Sequence, residues 1–229
     1  MRYAFIGTLA ALTLALGACD NEDHAVAAGA AGTTTVNGSL RVPAGEHTGP
    51  VGTVNGAVDI DENAVVGSVH TVNGSIDMAA HATAESVKAV NGPVSLASGA
   101  HVTHGITTVN GSIELASGAD VGGAIKNVNG EMILTGAHVG GGLRTVAGDI
   151  NVGGDSHIEG GILVENAGWF STWFGHDTRK PRIVIGPGAV VSGTLRFERD
   201  VNLYVSDKAT IGAVTGANPV RFSGEKPPA

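Results

Sequence analysis

The tripeptide Val-Asn-Gly occurs three times within residues 54–92, whose sequence is VNGAVDIDENAVVGSVHTVNGSIDMAAHATAESVKAVNG. Over the whole chain it begins at six positions, 18 or 19 residues apart: Val36, Val54, Val72, Val90, Val109 and Val128. Val146-Ala147-Gly148 continues the series, and Val164 marks one more step. A fixed period of this kind is typical of a solenoid, in which each repeat forms one turn of the chain.

A second period, of six residues, divides each repeat into three parts. Apolar residues lie six apart in the series Val54, Ile60, Val66, Val72, Met78, Ala84, Val90, Leu96 and Val102. Two more apolar columns follow the repeat: Leu40, Val58, Ile76, Val94, Ile113, Met132 and Ile150, and Val51, Val69, Val87, Ile106, Ile125, Leu143 and Ile162. The pattern predicts an all-β fold, a single-stranded triangular parallel β-solenoid (β-helix) with about 18 residues per coil and roughly nine coils.

The composition fits a chain of short strands and tight turns. Of the 229 residues 36 are Gly, while 4% are aromatic and 42% are apolar. So much Gly disfavours an ordinary helical domain, and the apolar fraction argues against disorder. Gly does not recur at every third position, which excludes collagen, and the single Cys excludes a disulfide scaffold. A narrow core of Val, Ile, Leu and Ala explains why aromatic residues are scarce.

The start of the chain has the features of an export signal. Arg2 supplies a positive charge, and residues 5–16 are apolar or small. Leu16-Gly17-Ala18-Cys19 resembles the bacterial lipoprotein signal, which implies that residues 1–18 are a lipoprotein signal peptide and that Cys19 is acylated. The alternative is a plain signal peptide with an incidental Cys. We expect a bacterial membrane-anchored lipoprotein, periplasmic or at the cell surface, with residues 19–32 as a flexible tether.

The repeat also sets the expected domain boundaries. We expect the solenoid at residues 33–217, with an insertion at 167–182, and a C-terminal tail at 218–229. After the insertion the pattern resumes, because Ile185, Ala189, Val191 and Leu195 match Leu115, Ala119, Val121 and Ile125. Every coil needs its neighbours, so the solenoid is one domain.

The Asn and Gly of the tripeptide form two adjacent columns. Gly at a corner permits a left-handed backbone, and Asn amides in stacked strands can hydrogen-bond to one another. The sequence therefore predicts a structural asparagine ladder made of Asn37, Asn55, Asn73, Asn91, Asn110 and Asn129. A repeated ligand-binding edge is the alternative interpretation.

The insertion contains four of the nine aromatic residues of the chain, Trp169, Phe170, Trp173 and Phe174. Basic residues follow them at Arg179, Lys180 and Arg182. Aromatic and basic residues are enriched together at partner and membrane interfaces. We therefore predict a partner-binding loop here. The alternative is that the loop folds back over an apolar side of the solenoid.

Histidines recur at one position of the six-residue pattern: His81, His101, His138 and His157, with Asp120 in the same series. Imidazoles stacked about 5 Å apart could bind a transition metal or respond to pH. A metal site at His101, His138 and His157 is one hypothesis, and a solvated outer face is the other. No companion catalytic residues accompany these histidines, so we expect no enzyme and no cofactor.

Charge is distributed unevenly along the chain. Residues 19–166 contain 4 Lys and Arg against 16 Asp and Glu, whereas residues 167–229 contain 8 against 5. We interpret this asymmetry as ordinary solubility with charges that protect the ends of the solenoid, and the alternative is head-to-tail self-association of rods. The chain is acidic overall and has no basic stripe, so we expect no nucleic-acid partner.

Two bacterial families have similar phrases. Ile185-Gly186-Pro187-Gly188-Ala189-Val190-Val191 resembles bactofilins, which are polymer-forming β-solenoids of the cytoskeleton. Val72-Asn73-Gly74-Ser75-Ile76 is similar to a bacterial adhesin-type β-solenoid domain. Bactofilins are cytoplasmic and lack a cleaved lipoprotein signal, so the start of this chain favours the envelope family. The resemblance implies a structural, adhesive or interaction role with envelope proteins or glycans. The alternatives are a polymer-forming scaffold and a His-dependent solenoid enzyme.

Overall fold

Parallel strands stack on one another through the whole of the described chain, which comprises residues 24–25, 31–166 and 179–228 of a computed structural model. These residues form strands, turns and bends but no helix, so none of them provides a helix long and apolar enough to cross a membrane. The all-β parallel solenoid predicted from the repeat is confirmed.

Each complete turn contributes one strand to each of three faces. Face one holds His24–Ala25, Leu40–Val42, Val58–Ile60, Ile76–Met78, Val94–Leu96, Ile113–Leu115, Met132–Thr135, Ile150–Gly153, Arg182–Ile185, Asn202–Ser206 and Val220–Phe222. Face two holds His47–Thr48, His101–Val102, Asp120–Val121, His138–Val139, His157–Ile158, Val190–Val191 and Thr210–Ile211. Face three holds Thr33–Asn37, Val51–Asn55, Ile106–Asn110, Ile125–Asn129, Leu143–Thr145, Ile162–Val164, Leu195–Phe197 and Val214–Thr215. Two long strands, Val65–Asn73 and Thr83–Asn91, run across faces two and three.

The register follows the repeat predicted from the sequence. Ile76 pairs with Val58 on the preceding turn and with Val94 on the next, and all three side chains are fully buried. On face three Ile106 lies between Val87 and Ile125 in the same way. Both apolar columns therefore form the core, because strand alternation points every second side chain to the interior.

The solenoid is longer than predicted. Face one contains eleven strands, and the chain makes about ten turns rather than nine. Val220–Phe222 pairs with Tyr204–Ser206, so the stacking continues past the expected boundary at residue 217. At the other end His24–Ala25 pairs with Leu40 and Arg41. These two strands lie within the segments expected to be the tether, residues 19–32, and the tail, residues 218–229.

The Val of the tripeptide lies outside the core, contrary to its place in the six-residue apolar series. Val36, Val90 and Val128 are 62%, 38% and 43% exposed. The buried side chain is that of the preceding residue: Thr53, Thr71, Ala89, Thr108, Asn127 and Thr145. Two residues before each of these buried positions lies the apolar residue of the face-three column, as Ile106 lies before Thr108. Alternation then turns the following Val outward.

The glycine of the tripeptide is required by close stacking of the corners. A Cβ atom at Gly74 would collide with the carbonyl oxygen of Gly56 on the preceding turn. At Gly111 it would collide with the carbonyl oxygen of Gly92 in the same way. Gly74 also has a positive φ of 159°. The backbones of successive corners thus touch directly, and no side chain fits between them.

Candidate functional site

The asparagine column forms a continuous chain of side-chain hydrogen bonds along one corner. Nδ2 of Asn55 donates to Oδ1 of Asn37 at 3.0 Å, and Asn73 donates to Asn55 at 2.9 Å. Asn91 donates to Asn73 at 3.0 Å, and Asn110 donates to Asn91 at 3.1 Å. Asn55, Asn73 and Asn91 each donate one bond and accept one, which is the arrangement expected of a structural ladder.

The sixth predicted member differs from the others. Asn129 is in register with Asn110, and its backbone carbonyl accepts a bond from the Gly111 amide. Within the described part of the chain, however, the side-chain ladder ends at Asn110. The next turn has Ala147 in place of Asn, so the row of amides stops before the insertion is reached.

A second row of polar side chains lies inside the same corner and was not predicted. Oγ1 of buried Thr53 donates to the carbonyl of Gly38, and Oγ1 of Thr71 donates to that of Gly56. Nδ2 of Asn127 does the same for Gly111 at 3.0 Å. The signal was present in the sequence, because a Thr, Ala or Asn precedes each Val where an apolar residue would be expected.

The histidine column on face two is organised around one carboxylate. Asp120 lies between His101 on the preceding turn and His138 on the next. Nδ1 of His101 is 2.7 Å from Oδ2 of Asp120, and Nδ1 of His138 is 2.5 Å from Oδ1. Nε2 of His138 is 3.3 Å from Oε1 of Glu159. The ring of His157 stacks on that of His138 with centroids 5.9 Å apart.

These contacts change the titration of two groups. The hydrogen bond to Asp120 raises the pKa of His138 above its ordinary value, with partial burial opposing and Glu159 assisting. Burial would raise the pKa of Asp120, but the hydrogen bonds and charges of His138 and His101 outweigh it and leave that pKa lowered. The side chains of His101, Asp120 and His138 are each about two-fifths exposed, so water screens these electrostatic interactions.

The structure corrects the membership of this column. Thr83, not His81, pairs with His101. His81 lies three residues before Ala84 in a turn with a φ of 58°, so its side chain does not belong to the strand. The equivalent turn one coil later contains Gly99, which also has a positive φ. His81 lies two residues before Thr83, the residue that pairs with His101. The two positions were confused in the sequence because both the turn and the strand recur in every coil.

The predicted metal ligands do not converge. His101 and His138 lie two turns apart with Asp120 between them, and His157 is one turn further. At about 4.8 Å per turn, roughly 14 Å separates the first and last of these strands. Among the residues that the structure describes, no group of three or more His, Cys, Asp or Glu could hold a metal ion. The arrangement is instead a row of polar contacts between neighbouring turns.

The aromatic insertion interrupts the solenoid at the corner of the asparagine ladder. Trp169, Phe170, Trp173 and Phe174 lie outside the described residues, as does Cys19. On either side of the insertion the register is intact, since Val164 pairs with Thr145 and Phe197, and Ile183 pairs with Ile150. Four residues separate Thr145 from Ile150, whereas residues 165–182 separate Val164 from Ile183.

Charged side chains fix the C-terminal base of the insertion to the neighbouring turns. Asp149 accepts hydrogen bonds from the Arg179 guanidinium at 2.8 and 3.0 Å and from the Arg182 backbone amide at 2.8 Å. Arg199, on the following turn, donates to the carbonyls of Arg179 and Val146 at 3.0 and 3.1 Å. Arg199 thus connects Arg179, at the end of the insertion, to Val146 on the turn before it. Arg179 and Arg182 were expected on a partner surface, and Arg199 was not identified from the sequence.

Comparison with protein-family models, with curated proteins and with solved structures gives no match for this chain. The likeness to bactofilins and adhesin-type solenoids therefore rests on the phrases quoted above, and the parallel β-solenoid itself is what the structure supports.

Proposed function

We propose that this chain is a lipid-anchored scaffold of the bacterial cell envelope, with a structural, adhesive or protein-interaction role. In this proposal acylated Cys19 holds the solenoid at a membrane. The solenoid carries the aromatic insertion, and the flexible tether connects the solenoid to the anchor. The partner is an envelope protein or glycan, and no catalytic step is involved.

One observation carries the scaffold role: the solenoid keeps its register across the insertion. The strands that flank it, Ile162–Val164 and Arg182–Ile185, stack on Leu143–Thr145 and Ile150–Gly153 as any other turn would. The core is continuous there, because Val164 and Ile183 are fully buried. An addition that leaves the stacking unchanged can vary without loss of the fold, which is how loops on rigid frameworks come to carry binding functions.

The anchor is tested by metabolic labelling with radioactive palmitate in a bacterial host, followed by membrane fractionation. We expect the full chain to carry the label and to sediment with membranes, and the Cys19→Ser variant to carry none. The far-UV circular dichroism spectrum of the purified Cys19→Ser variant is the control for folding, and it should be the same as that of the full chain. Equal labelling of both chains, or none in either, would contradict the anchor.

A polymer-forming scaffold is the second candidate, because apolar side chains of the last described turns are incompletely covered. Ala209, Ile211 and Val214 face the core from the last turns yet are only partly buried. The acidic and basic parts of the chain would attract one another in a head-to-tail contact. Electron microscopy of the full chain separates the candidates: filaments favour the polymer, and single rods at every concentration exclude it.

A further inference from the structure

Both ring nitrogens of His138, on face two, contact carboxylate oxygens. His138 directs Nδ1 to Asp120 on the preceding turn and Nε2 to Glu159 on the following one. A neutral imidazole carries a single N–H, and its other nitrogen is a lone-pair acceptor. Carboxylate oxygens of ionised Asp and Glu only accept. Both contacts can therefore be hydrogen bonds only when His138 is an imidazolium cation.

We propose that His101, Asp120, His138 and Glu159 form a protonation-dependent clamp that ties four successive turns of face two together. Protonated His138 bonds both carboxylates, and Asp120 passes the connection on to His101. When His138 loses its proton, one of its two contacts sets a nitrogen lone pair against a carboxylate oxygen. The connection between the turns of Asp120 and Glu159 is then broken.

The strands on both sides of His138 contribute all the charged groups that face it in the described chain. Asp120 is on the preceding strand, and His101 lies one turn beyond it. His157 and Glu159 belong to the following turn, where the His157 ring stacks at an interplanar angle of 17°. The structure gives stacking between His157 and His138 and hydrogen-bond contacts from His138 to the two carboxylates, so Asp120 and Glu159 are the groups that favour its charged form.

The sign of the pH dependence follows from these contacts. The pKa of His138 is raised above its ordinary value of 6.5, so its contribution to stability is complete below 6.5 and is lost as pH rises through the folded-state pKa. The pKa of Asp120 is lowered from 3.8, so its contribution is present above 3.8 and is lost as pH falls through the folded-state pKa. The clamp is therefore closed in mildly acidic solution and open in alkaline solution.

The test is a histidine NMR titration of the full chain in detergent micelles, with Asp120→Asn and Glu159→Gln as variants. Each substitution removes a carboxylate charge and keeps the side-chain shape. We expect the titration midpoint of His138 to shift to lower pH in both variants. Glu114→Gln, a matched change on face one, should leave the midpoint where it is. A His138 midpoint that is the same in Asp120→Asn and in the wild type would overturn the proposal.

The pH dependence of the melting temperature is a second readout, because a contact that does not depend on protonation would contribute equally at every pH. We expect Asp120→Asn to lower Tm by about 2 °C near pH 5.5 and by less near pH 8.5, where neutral His138 can no longer bond both carboxylates. A loss of equal size at both pH values would overturn the clamp. Should Asp120→Asn fail to fold, Glu159→Gln gives the same comparison, since it removes only the outer contact.

Discussion

Buried polar side chains at the ladder corner show how single residues compensate for close backbone stacking. Gly corners leave carbonyl groups that need a donor, and Thr53, Thr71 and Asn127 supply one from inside the core. Thr108 occupies the same column, is 1% exposed, and has no hydrogen-bond partner for Oγ1 in the described chain. The hydroxyl of Thr71 therefore stabilises the fold through its hydrogen bond, whereas burial of the unpaired Thr108 hydroxyl lowers the stability.

The two threonines give a matched pair of substitutions with opposite effects. Thr71→Val removes a donor to the Gly56 carbonyl, and we expect it to reduce the free energy of unfolding by about 1 kcal/mol. Thr108→Val replaces an unpaired hydroxyl with a methyl group of similar volume, so we expect equal or higher stability. Denaturant titration of both variants measures the difference. If Thr108→Val proves the more destabilising of the two, the assignment of hydrogen bonds at this corner is wrong.

Most of the architecture at the scale of strands and corners could be predicted from the sequence. The two apolar columns gave the register, because every second residue of a stacked strand must be buried. The outward position of Val36 could not be predicted from spacing, since a period of six is satisfied equally by Val and by the residue before it.

The candidate sites were predicted less completely than the fold. The asparagine ladder follows from stacking of identical residues, and four of its five steps are hydrogen-bonded. The Asp120 bridge depends on side-chain rotamers that no repeat specifies. The contacts of Asp149 and Arg199 join residues 20 to 53 positions apart across an irregular segment, where the repeat offers no guide.

The ladder should act as one element that connects turns. Asn91→Ala removes the bond to Asn73 and the bond from Asn110, so the row is cut in two. We expect a loss of about 1 kcal/mol in the free energy of unfolding, because these amides are exposed and each bond contributes little. Asn129→Ala is the control, since Asn129 takes part in no ladder bond within the described residues. Equal effects of the two substitutions on Tm would show that the ladder does not stabilise the corner.

The whole molecule is a rod of about ten turns, or roughly 48 Å at the usual spacing of strands. Its stability resides in contacts between neighbouring turns, as in other solenoids. The proposed scaffold role therefore requires that the turns fold without help from the insertion. If the aromatic residues covered an apolar side of the rod instead, they would belong to the core and their loss would destabilise it.

Thermal melting of a chain without the insertion tests this most directly. Residues 165–182 are replaced by a four-residue Val-Asn-Gly-Ser corner, which matches the length between Thr145 and Ile150. A companion variant changes Trp169, Phe170, Trp173 and Phe174 to Ser and keeps the chain length. We predict a single cooperative transition within about 2–4 °C of the full chain for both, with the β-sheet spectrum unchanged. A chain that is unfolded, or that melts far lower in both variants, would contradict the scaffold account.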